Sequence, residues 1–251
     1  MTKQAKTVWH ENDEFWSASF PFMFPDSRLT AAADEVDKII ALTGCTAGSV
    51  LDLSCGPGRH AVAFAKKGFS VTGVDNTPFL LDKARAFGTA ESADVEWELE
   101  DMRRFRRPSA FNLALSMFTS FGFFDDLSDN LAVLDNVFVS LAPNGAFVLD
   151  VLGKEIIART FRATDAEEFD GGMVVQRRKI AAGWDRIEVD WHIIDSGHAR
   201  KFDLQLWIYS GQELKEMLRA AGFGEVFLYG GLDGTPYDAD AKRLIAVAYK
   251  R

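Results

Sequence analysis

Residues 49–68 read SVLDLSCGPGRHAVAFAKKG, and this stretch decides the fold. It opens with a short, mostly apolar run, Ser49–Leu53, which is typical of a buried strand. A turn that carries Gly56 and Gly58 follows, and residues 61–65 are good helix formers. Gly68 is placed to end that helix. The stretch therefore predicts a strand, a glycine-rich turn and a helix in direct succession.

Strand-length apolar runs and helical patterns continue to alternate along the next hundred residues. Thr77 is placed to cap a helix that holds Leu80, Leu81 and Ala84, and residues 126–141 carry apolar residues at helical spacing. This alternation is typical of a mainly parallel sheet covered by helices on both faces. The later predicted strands are 69–74, 94–99, 111–117 and 146–152, with the break Pro143-Asn144-Gly145 before the last of them.

The pattern changes after the fifth strand. Residues 173–209 hold strand-like runs with polar alternation and short turns, which predicts an antiparallel insertion. Ser210 is placed to cap a helix that Gly222 ends, and residues 226–229 and 244–249 have the pattern of two final strands. We predict an α/β fold with a doubly wound, seven-stranded, mainly parallel sheet, a C-terminal antiparallel hairpin and an antiparallel β insertion after strand five.

Length and patterning indicate one main domain with two additions. We expect residues 1–48 to form an N-terminal lid and helical segment. Residues 49–251 then form the main α/β domain, and residues 153–209 within it form the antiparallel β insertion. An open α/β sheet in a chain of 251 residues commonly makes a single domain.

Composition excludes several classes of protein. Hydrophobic residues make up 47% and charged residues 26% of the chain, as in an ordinary globular protein. The net charge of −9 makes nucleic acid an unlikely partner. Met1–Lys6 are polar, and no run of about 18 apolar residues occurs, so we expect a cytoplasmic protein with no membrane partner, as a monomer or homodimer. Cys45 and Cys55 are too few for a disulfide framework or a cysteine metal site.

The glycine turn indicates a ligand that approaches the backbone closely. Residues 56–61 match the G-x-G-x-x-G/A dinucleotide pattern, and Asp75 stands at the end of the next strand, where an acid can bind ribose hydroxyls. A nicotinamide oxidoreductase is therefore one interpretation.

Two acidic positions favour a different ligand. Asp52 precedes Gly56 by four residues, where its carboxylate would repel a pyrophosphate but attract an ammonium or sulfonium group. Asp101 follows the third strand, where it can accept a hydrogen bond from an adenine amino group while the N–H of Met102 serves a ring nitrogen. S-adenosylmethionine carries an ammonium group, a sulfonium and an adenine ring.

On these residues the chain resembles the class I (Rossmann-like) S-adenosylmethionine-dependent methyltransferases of small-molecule type, from about Val50 to Lys250. The family's D-x-G-x-G-x-G element matches Asp52, Ser54, Gly56 and Gly58, with Ser54 in place of the first glycine. The resemblance implies that this element holds the methionine portion of the cofactor. It implies further cofactor contacts at Asp75 for the ribose, Leu80, Asp101 and Met102 for the adenine, and the neighbouring Asn76, Ser116 and Met117.

Other parts of the chain match the family in order. Residues 111–116 are similar to its fourth-strand element, with Asn112 where an aspartate is common. Residues 141–145 resemble the turn before strand five, and residues 220–223 resemble the start of the terminal hairpin. None of these elements identifies the methyl acceptor.

The acceptor pocket is expected beyond the carboxyl ends of the strands, where open α/β sheets bind ligands. Residues 117–124 are rich in aromatic side chains and form either a wall of that pocket or simple loop packing. The apolar N-terminal segment 9–24 is expected to close over the site, with Arg28 reaching either the cofactor carboxylate or a surface salt bridge. The basic run 103–107 is interpreted as a solvated edge.

The sequence thus predicts S-adenosylmethionine-dependent transfer of a methyl group to an N or O atom of a small-molecule acceptor. The alternatives are an NAD-dependent oxidoreductase and a non-catalytic S-adenosylmethionine-binding protein. No catalytic residue is assigned, because alignment at an activated sulfonium can supply much of the rate and a general base is optional. The histidines, at 10, 60, 192 and 198, lack the spacing of a metal site.

Overall fold

The computed structural model describes residues 8–251; Met1–Lys6, on which part of the cytoplasmic prediction rests, lie outside that range. A short 3-10 helix, Trp9–Glu11, comes first. The α-helices are α1 (Asp13–Met23), α2 (Asp26–Thr43), α3 (Arg59–Lys66), α4 (Pro78–Ala90), α5 (Leu127–Ser140), α6 (Lys154–Thr160) and α7 (Gly211–Ala220). The strands are β1 (Ser49–Leu53), β2 (Ser70–Asp75), β3 (Glu96–Leu99), β4 (Phe111–Ser116), β5 (Leu141–Val151), β6 (Thr164–Phe169), β7 (Gly172–Ile180), β8 (Arg186–Asp195), β9 (His198–Trp207), β10 (Glu225–Tyr229) and β11 (Leu244–Tyr249).

The central sheet has seven strands in the order β10-β11-β5-β4-β1-β2-β3. Only β11 runs antiparallel, against β5 on one side and β10 on the other. The predicted fold class is confirmed. Strand order reverses at β1, which pairs with β2 on one side and β4 on the other, so a crevice opens at the carboxyl ends of these strands.

Both faces of the central sheet are buried because alternate residues of each strand pack against helices on opposite sides. One core cluster holds Val50 of β1 with Val36 and Ile39 of α2, and the other holds Leu51 with Leu134 of α5. Helix α7 begins after the predicted N-cap, Ser210, with a capping box, whereas Thr77 holds the N-cap position of α4 without a side-chain capping bond. The elements around the crevice are therefore packed on both faces of the sheet.

Two strands differ from the sequence-based expectation. β5 begins at Leu141 rather than near residue 146, because pairing with β4 continues across an irregularity between Phe111 and Leu113 while Asn144 takes a φ of 64°. The predicted break therefore lies inside the strand. β6 escaped prediction, since its sequence TDAEEF is acidic, as suits an edge strand in contact with water.

The insertion folds as a separate four-stranded antiparallel sheet in the order β6-β7-β8-β9. Its inner face carries buried apolar side chains that include Val189 and Trp191, which cluster with Phe15 and Trp16 of α1. Helix α1 thus packs against the insertion sheet and closes one side of the crevice. Within residues 8–251, no helix has the length and apolar character needed to cross a membrane.

Candidate functional site

A cavity of about 290 Å³ opens at the carboxyl ends of β1, β2 and β4. It extends beneath the N-terminal segment to the inner face of the insertion sheet. Eight of the sequence-predicted site residues line it, and they come from four separate parts of the chain. They are Asp52, Ser54, Gly56, Asp75, Asn76, Leu80, Met102 and Met117.

The glycine turn joins β1 to α3 through several left-handed residues. Ser54, Gly56 and Gly58 have φ values of 59°, 55° and 81°. Ser54, which stands where the resembled family has glycine, thus adopts a conformation that costs a residue with a Cβ atom about 1–2 kcal/mol. The substitution leaves the turn geometry intact at a small energetic cost.

Gly56 and Gly58 serve different purposes. A Cβ atom added to Gly56 would meet only the Phe24 ring, at 3.5 Å, so this glycine faces the cavity. A Cβ atom added to Gly58 would lie 2.5 Å from Cη2 of Trp97. Gly58 does not line the cavity, and its lack of a Cβ atom lets the turn pack against Trp97 of β3.

Two buried carboxylates line the cavity. Asp52 is 1% exposed, and its Oδ2 accepts a hydrogen bond from the backbone N–H of Ala61 at 3.1 Å. Asp75 is 6% exposed and accepts hydrogen bonds from the N–H groups of Gly56, at 2.9 Å, and Thr77, at 3.0 Å. Burial raises the pKa of Asp52, and it raises that of Asp75 to about 6 against the lowering effect of these hydrogen bonds.

This pair of carboxylates disfavours an anionic ligand. Neither forms an ion pair with a lysine or arginine among the described residues. Beyond the backbone N–H groups that each accepts, the ionised carboxylates can therefore take a cation or a further hydrogen-bond donor from a ligand. A pyrophosphate placed here would face two negative charges in a buried setting. The ammonium and ribose hydroxyls of S-adenosylmethionine suit both groups.

Asp101 is held outside the cavity wall. Its carboxylate accepts hydrogen bonds from Nε of Arg103, at 2.9 Å and 3.1 Å, and from that residue's backbone N–H at 2.8 Å. Burial opposes ionisation, but these bonds hold the pKa of Asp101 below its ordinary value. Its neighbours Glu100 and Met102 line the cavity instead.

Arg28 forms no ion pair within residues 8–251. Its Nη1 donates to the Met23 carbonyl at 2.5 Å, and its guanidinium lies 4.2 Å from the centre of the Phe118 ring. Burial, together with the nearby Arg59, lowers the pKa of Arg28. The side chain is thus a half-buried cation that lacks a carboxylate partner. Ser116, the remaining predicted site residue, does not line the cavity; it is 1% exposed, and its hydroxyl has no hydrogen-bond partner among residues 8–251.

The segment after β4 is strained and firmly held. Phe118 and Thr119 have φ values of 60° and 64° and line the cavity. The Asp150 carboxylate accepts the Phe118 backbone N–H at 2.9 Å and pairs with Nε of Arg243 at 2.6 Å, while Nη2 of Arg243 donates to the Thr119 hydroxyl at 2.8 Å. These contacts hold Phe118 and Thr119 in a left-handed backbone conformation that would otherwise be unfavourable.

The far end of the cavity is enclosed by rings, and we call it the aromatic chamber. Ring centroids of Phe15 and Trp191 lie 5.5 Å apart, and those of Trp9 and Phe123 lie 4.6 Å apart. Burial, followed by the nearby Arg103, lowers the pKa of His10 to about 4, so its imidazole is neutral at pH 7. The chamber is lined by Trp9, His10, Phe15, Trp16, Phe123, Gln176, Val189, Trp191, Leu204 and Leu206.

Several charged groups near the cavity form ion pairs with one another. In the basic run, Arg103 contacts Asp101 and Asp129, Arg104 contacts Glu100, and Arg107 contacts Glu96 and Glu98. His60 and Arg59 both bond to Glu35. No group of His, Cys, Asp and Glu in the part of the chain that the structure describes could hold a metal ion.

Sequence reasoning missed the contribution of the insertion to this cavity. Gln176, Val189, Trp191, Leu204 and Leu206 reach it from β7, β8 and β9. Alternation along β8, with apolar residues at every second position, signals an apolar face. This alternation does not indicate which element packs on that face, because α1 and β8 lie more than 150 residues apart in the chain.

Comparisons with known proteins show similarity to methyltransferases. A family model described as a methyltransferase domain matches residues 50–145. The dTDP-3-amino-3,4,6-trideoxy-alpha-D-glucopyranose N,N-dimethyltransferase of Streptomyces venezuelae is 27% identical over 210 residues, which cover 81% of this chain and 87% of that protein.

Solved structures share the architecture along nearly the whole chain. An amino pentose methyltransferase from Micromonospora echinaspora, involved in calicheamicin biosynthesis and solved with bound S-adenosylmethionine, is 25% identical with a TM-score of 0.68, and each chain is covered at 100%. The CcbJ methyltransferase from Streptomyces caelestis is 19% identical with a TM-score of 0.78 over 98% of both chains, a likeness of fold alone.

Proposed function

We propose that this chain, which is a class I S-adenosylmethionine-dependent methyltransferase, transfers the methyl group to an N or O atom of a small-molecule acceptor. One observation carries the proposal: the cavity that holds Asp52 and Asp75 continues without interruption into the enclosed aromatic chamber. Cofactor and acceptor could therefore meet inside one space.

Specific side chains would hold the cofactor, which supplies an electrophilic methyl group on a sulfonium. Asp52 would bind its ammonium group, and Asp75 its ribose hydroxyls. Leu80 and Met102 would pack against the adenine, and Arg28 would meet the carboxylate. Gly56 leaves room for the ligand to approach the backbone. Asp101 would act at the edge of the adenine, as a carboxylate that Arg103 holds in place.

Enclosure favours a small acceptor over a macromolecule. The chamber lies between α1 and the insertion sheet, and its walls are mostly buried rings. The Streptomyces venezuelae relative is named for methylating an amino sugar, which supports a small-molecule acceptor here. The acidic net charge of −9 and the paired basic run argue against a nucleic acid.

Cysteine usage supports a cytoplasmic location. Cys45 and Cys55 are both free, and Cys55 is buried in the glycine turn. Reduced thiols are usual in a reducing compartment. Whether the enzyme works as a monomer or homodimer stays a prediction.

Calorimetry and methyl transfer test the proposal together. The purified protein should bind S-adenosylmethionine and S-adenosylhomocysteine with measurable heat and give none with NAD. Methyl-labelled cofactor should transfer its label to the small-molecule fraction of a cell extract and leave the protein and RNA fractions unlabelled. Label that enters only macromolecules, or saturable binding of NAD alone, contradicts the proposal; binding without any transfer would indicate a cofactor-binding protein that lacks activity.

A further inference from the structure

The aromatic chamber is almost free of charge. Of the ten described residues that line it, His10 is the only titratable one and is neutral at pH 7, and apart from the tryptophan indole N–H groups the only other polar side chain is Gln176. The nearest cation on the insertion sheet, Arg178, donates to Gln176 and lies 3.7 Å from a carboxylate oxygen of Asp165. A ligand inside the chamber therefore meets π faces and methyl groups rather than ions.

The arginines that could neutralise a phosphate lie outside the aromatic chamber, and two of them already pair with carboxylates. Arg59 and Arg243 line the cavity near Phe118, but Arg59 pairs with Glu35 and Arg243 with Asp150. Arg28, which has no carboxylate partner, is assigned to the cofactor carboxylate above. A phosphorylated acceptor would thus bury negative charge without a free counter-ion, at a cost of several kcal/mol.

The same walls favour positive charge. In methyl transfer to an amine, one positive charge leaves the sulfur and appears on the acceptor nitrogen. Faces of Trp and Phe rings stabilise such a cation by about 0.5–2 kcal/mol for each well-placed ring. The chamber would therefore stabilise the transition state of amine methylation more than its ground state.

The chamber also lacks a strong base. A hydroxyl acceptor has to lose its proton to become a good nucleophile, so oxygen methylation at such a site relies on a nearby base. His10 is a weak base because burial and Arg103 disfavour its protonated form, with Asp101 and Asp125 opposing them only in part. An amine is mostly an ammonium ion at neutral pH, but this proton exchanges readily with water, and the neutral form then attacks with its own lone pair without a base supplied by the protein.

We propose that the acceptor is an unphosphorylated amine carried on an apolar ring, whose ring packs among Phe15, Trp16 and Trp191 in the aromatic chamber. The amine nitrogen forms a bond to the methyl carbon with its lone pair, and the carbon–sulfur electron pair returns to sulfur. The product leaves as a methylammonium ion, which loses its extra proton to water. This inference rests on the proposed function and narrows its substrate class.

A panel of isosteric probes tests the substrate class. Wild-type protein and methyl-labelled cofactor are incubated with benzylamine, 2-phenylethylamine and cyclohexylmethylamine, and in parallel with benzyl alcohol, phenol and a dTDP-linked amino sugar. We expect label in at least one ring amine and none in the alcohol, the phenol or the nucleotide sugar. An enzyme that binds S-adenosylhomocysteine but leaves all three amines unlabelled, or that prefers the phenol or the nucleotide sugar, overturns the inference.

A charge-swap pair tests the place of binding. Gln176→Lys adds a cation to the chamber wall, whereas Gln205→Lys adds one to β9 on the opposite face of the same sheet, since Gln205 alternates with the inward Leu204 and Leu206. Gln176→Lys should raise the KM for the amine about tenfold through like-charge repulsion, and Gln205→Lys should leave it within about twofold. Tryptophan fluorescence titration of the S-adenosylhomocysteine complex with benzylamine should show the same contrast without turnover.

Different results would refute the proposed function and the amine acceptor. Equal effects of the two lysine variants on amine KM and binding would overturn the chamber assignment. Unchanged S-adenosylhomocysteine affinity in both variants, with label entering a phenol or a nucleotide sugar, would leave the proposed function standing and reject only the amine. Absence of cofactor binding in the wild-type protein would reject both.

Discussion

The carboxylate of Asp75 accepts a hydrogen bond from the backbone N–H of Gly56 at 2.9 Å, which ties the end of β2 to the glycine turn after β1. The same carboxylate accepts the Thr77 N–H, so it also fixes the start of α4. One buried acid therefore joins the glycine turn to the start of α4. Its protonation would reduce the capacity of the carboxylate to accept hydrogen bonds, both from these N–H groups and from a ligand.

Cofactor affinity should fall in acid through Asp75. Burial raises the pKa of Asp75 to about 6, so in the free protein the carboxylate becomes protonated as the pH falls through that value. Ribose hydroxyls need the ionised form as acceptor, so affinity for S-adenosylhomocysteine should be full above about pH 7 and drop by up to about tenfold per pH unit below 6. Calorimetric titrations from pH 5 to pH 8 measure this. Asp75→Asn should bind more weakly at pH 8 with a flat profile between pH 5 and pH 7; an unaltered slope in that variant would assign the effect to another group.

Asp52 should recognise only the amino-acid end of the cofactor. Asp52→Asn keeps an oxygen that can accept the Ala61 N–H but removes the negative charge. A hydrogen bond to a charged group contributes about 1.5–3 kcal/mol, so affinity for S-adenosylhomocysteine should fall about 10- to 100-fold. Affinity for 5′-methylthioadenosine, which has no ammonium group, should stay within about threefold. Equal losses for both ligands would show that the variant damages the turn rather than a charge contact.

Asp101 should affect the binding of both ligands alike. If its Arg103-held carboxylate acts at the adenine edge, Asp101→Ala should weaken S-adenosylhomocysteine and 5′-methylthioadenosine by similar factors, about tenfold each. Arg103→Gln should produce a smaller loss of the same kind, because it frees the carboxylate without removing it. Isothermal titration of both ligands checks this. Full retention of affinity in Asp101→Ala would limit adenine recognition to Met102 and Leu80.

Gly58 should matter for folding rather than for binding. Gly58→Ala brings a Cβ atom to 2.5 Å from the Trp97 ring at a φ of 81°, so the free energy of unfolding should drop by about 2–4 kcal/mol. Gly56→Ala meets only the Phe24 ring and should cost about 1–2 kcal/mol while weakening the cofactor more strongly. Urea unfolding gives the energies. Adding Trp97→Leu to Gly58→Ala should recover part of the loss, and no recovery would mean that backbone strain alone is responsible.

Local sequence was sufficient to predict the frame of the site. Alternating apolar runs and helical patterns predicted the seven-stranded sheet, because strand and helix periodicity is set by neighbouring residues. The spacing of Asp52 to Gly56 places an acid on β1 and a glycine in the turn that follows, whatever the rest of the chain does. Charge at these positions then favoured a sulfonium ligand over a dinucleotide.

Tertiary structure alone decided which contacts these residues make. Gly58 faces the Trp97 ring, and Asp101 is held by Arg103, which also reaches Asp129 of α5. Trp191 meets Phe15 across more than 170 residues of chain, and this contact helps to build the aromatic chamber. Such pairings depend on which sheet face covers which helix, a choice made by the burial of apolar surface over the whole fold rather than by any local pattern.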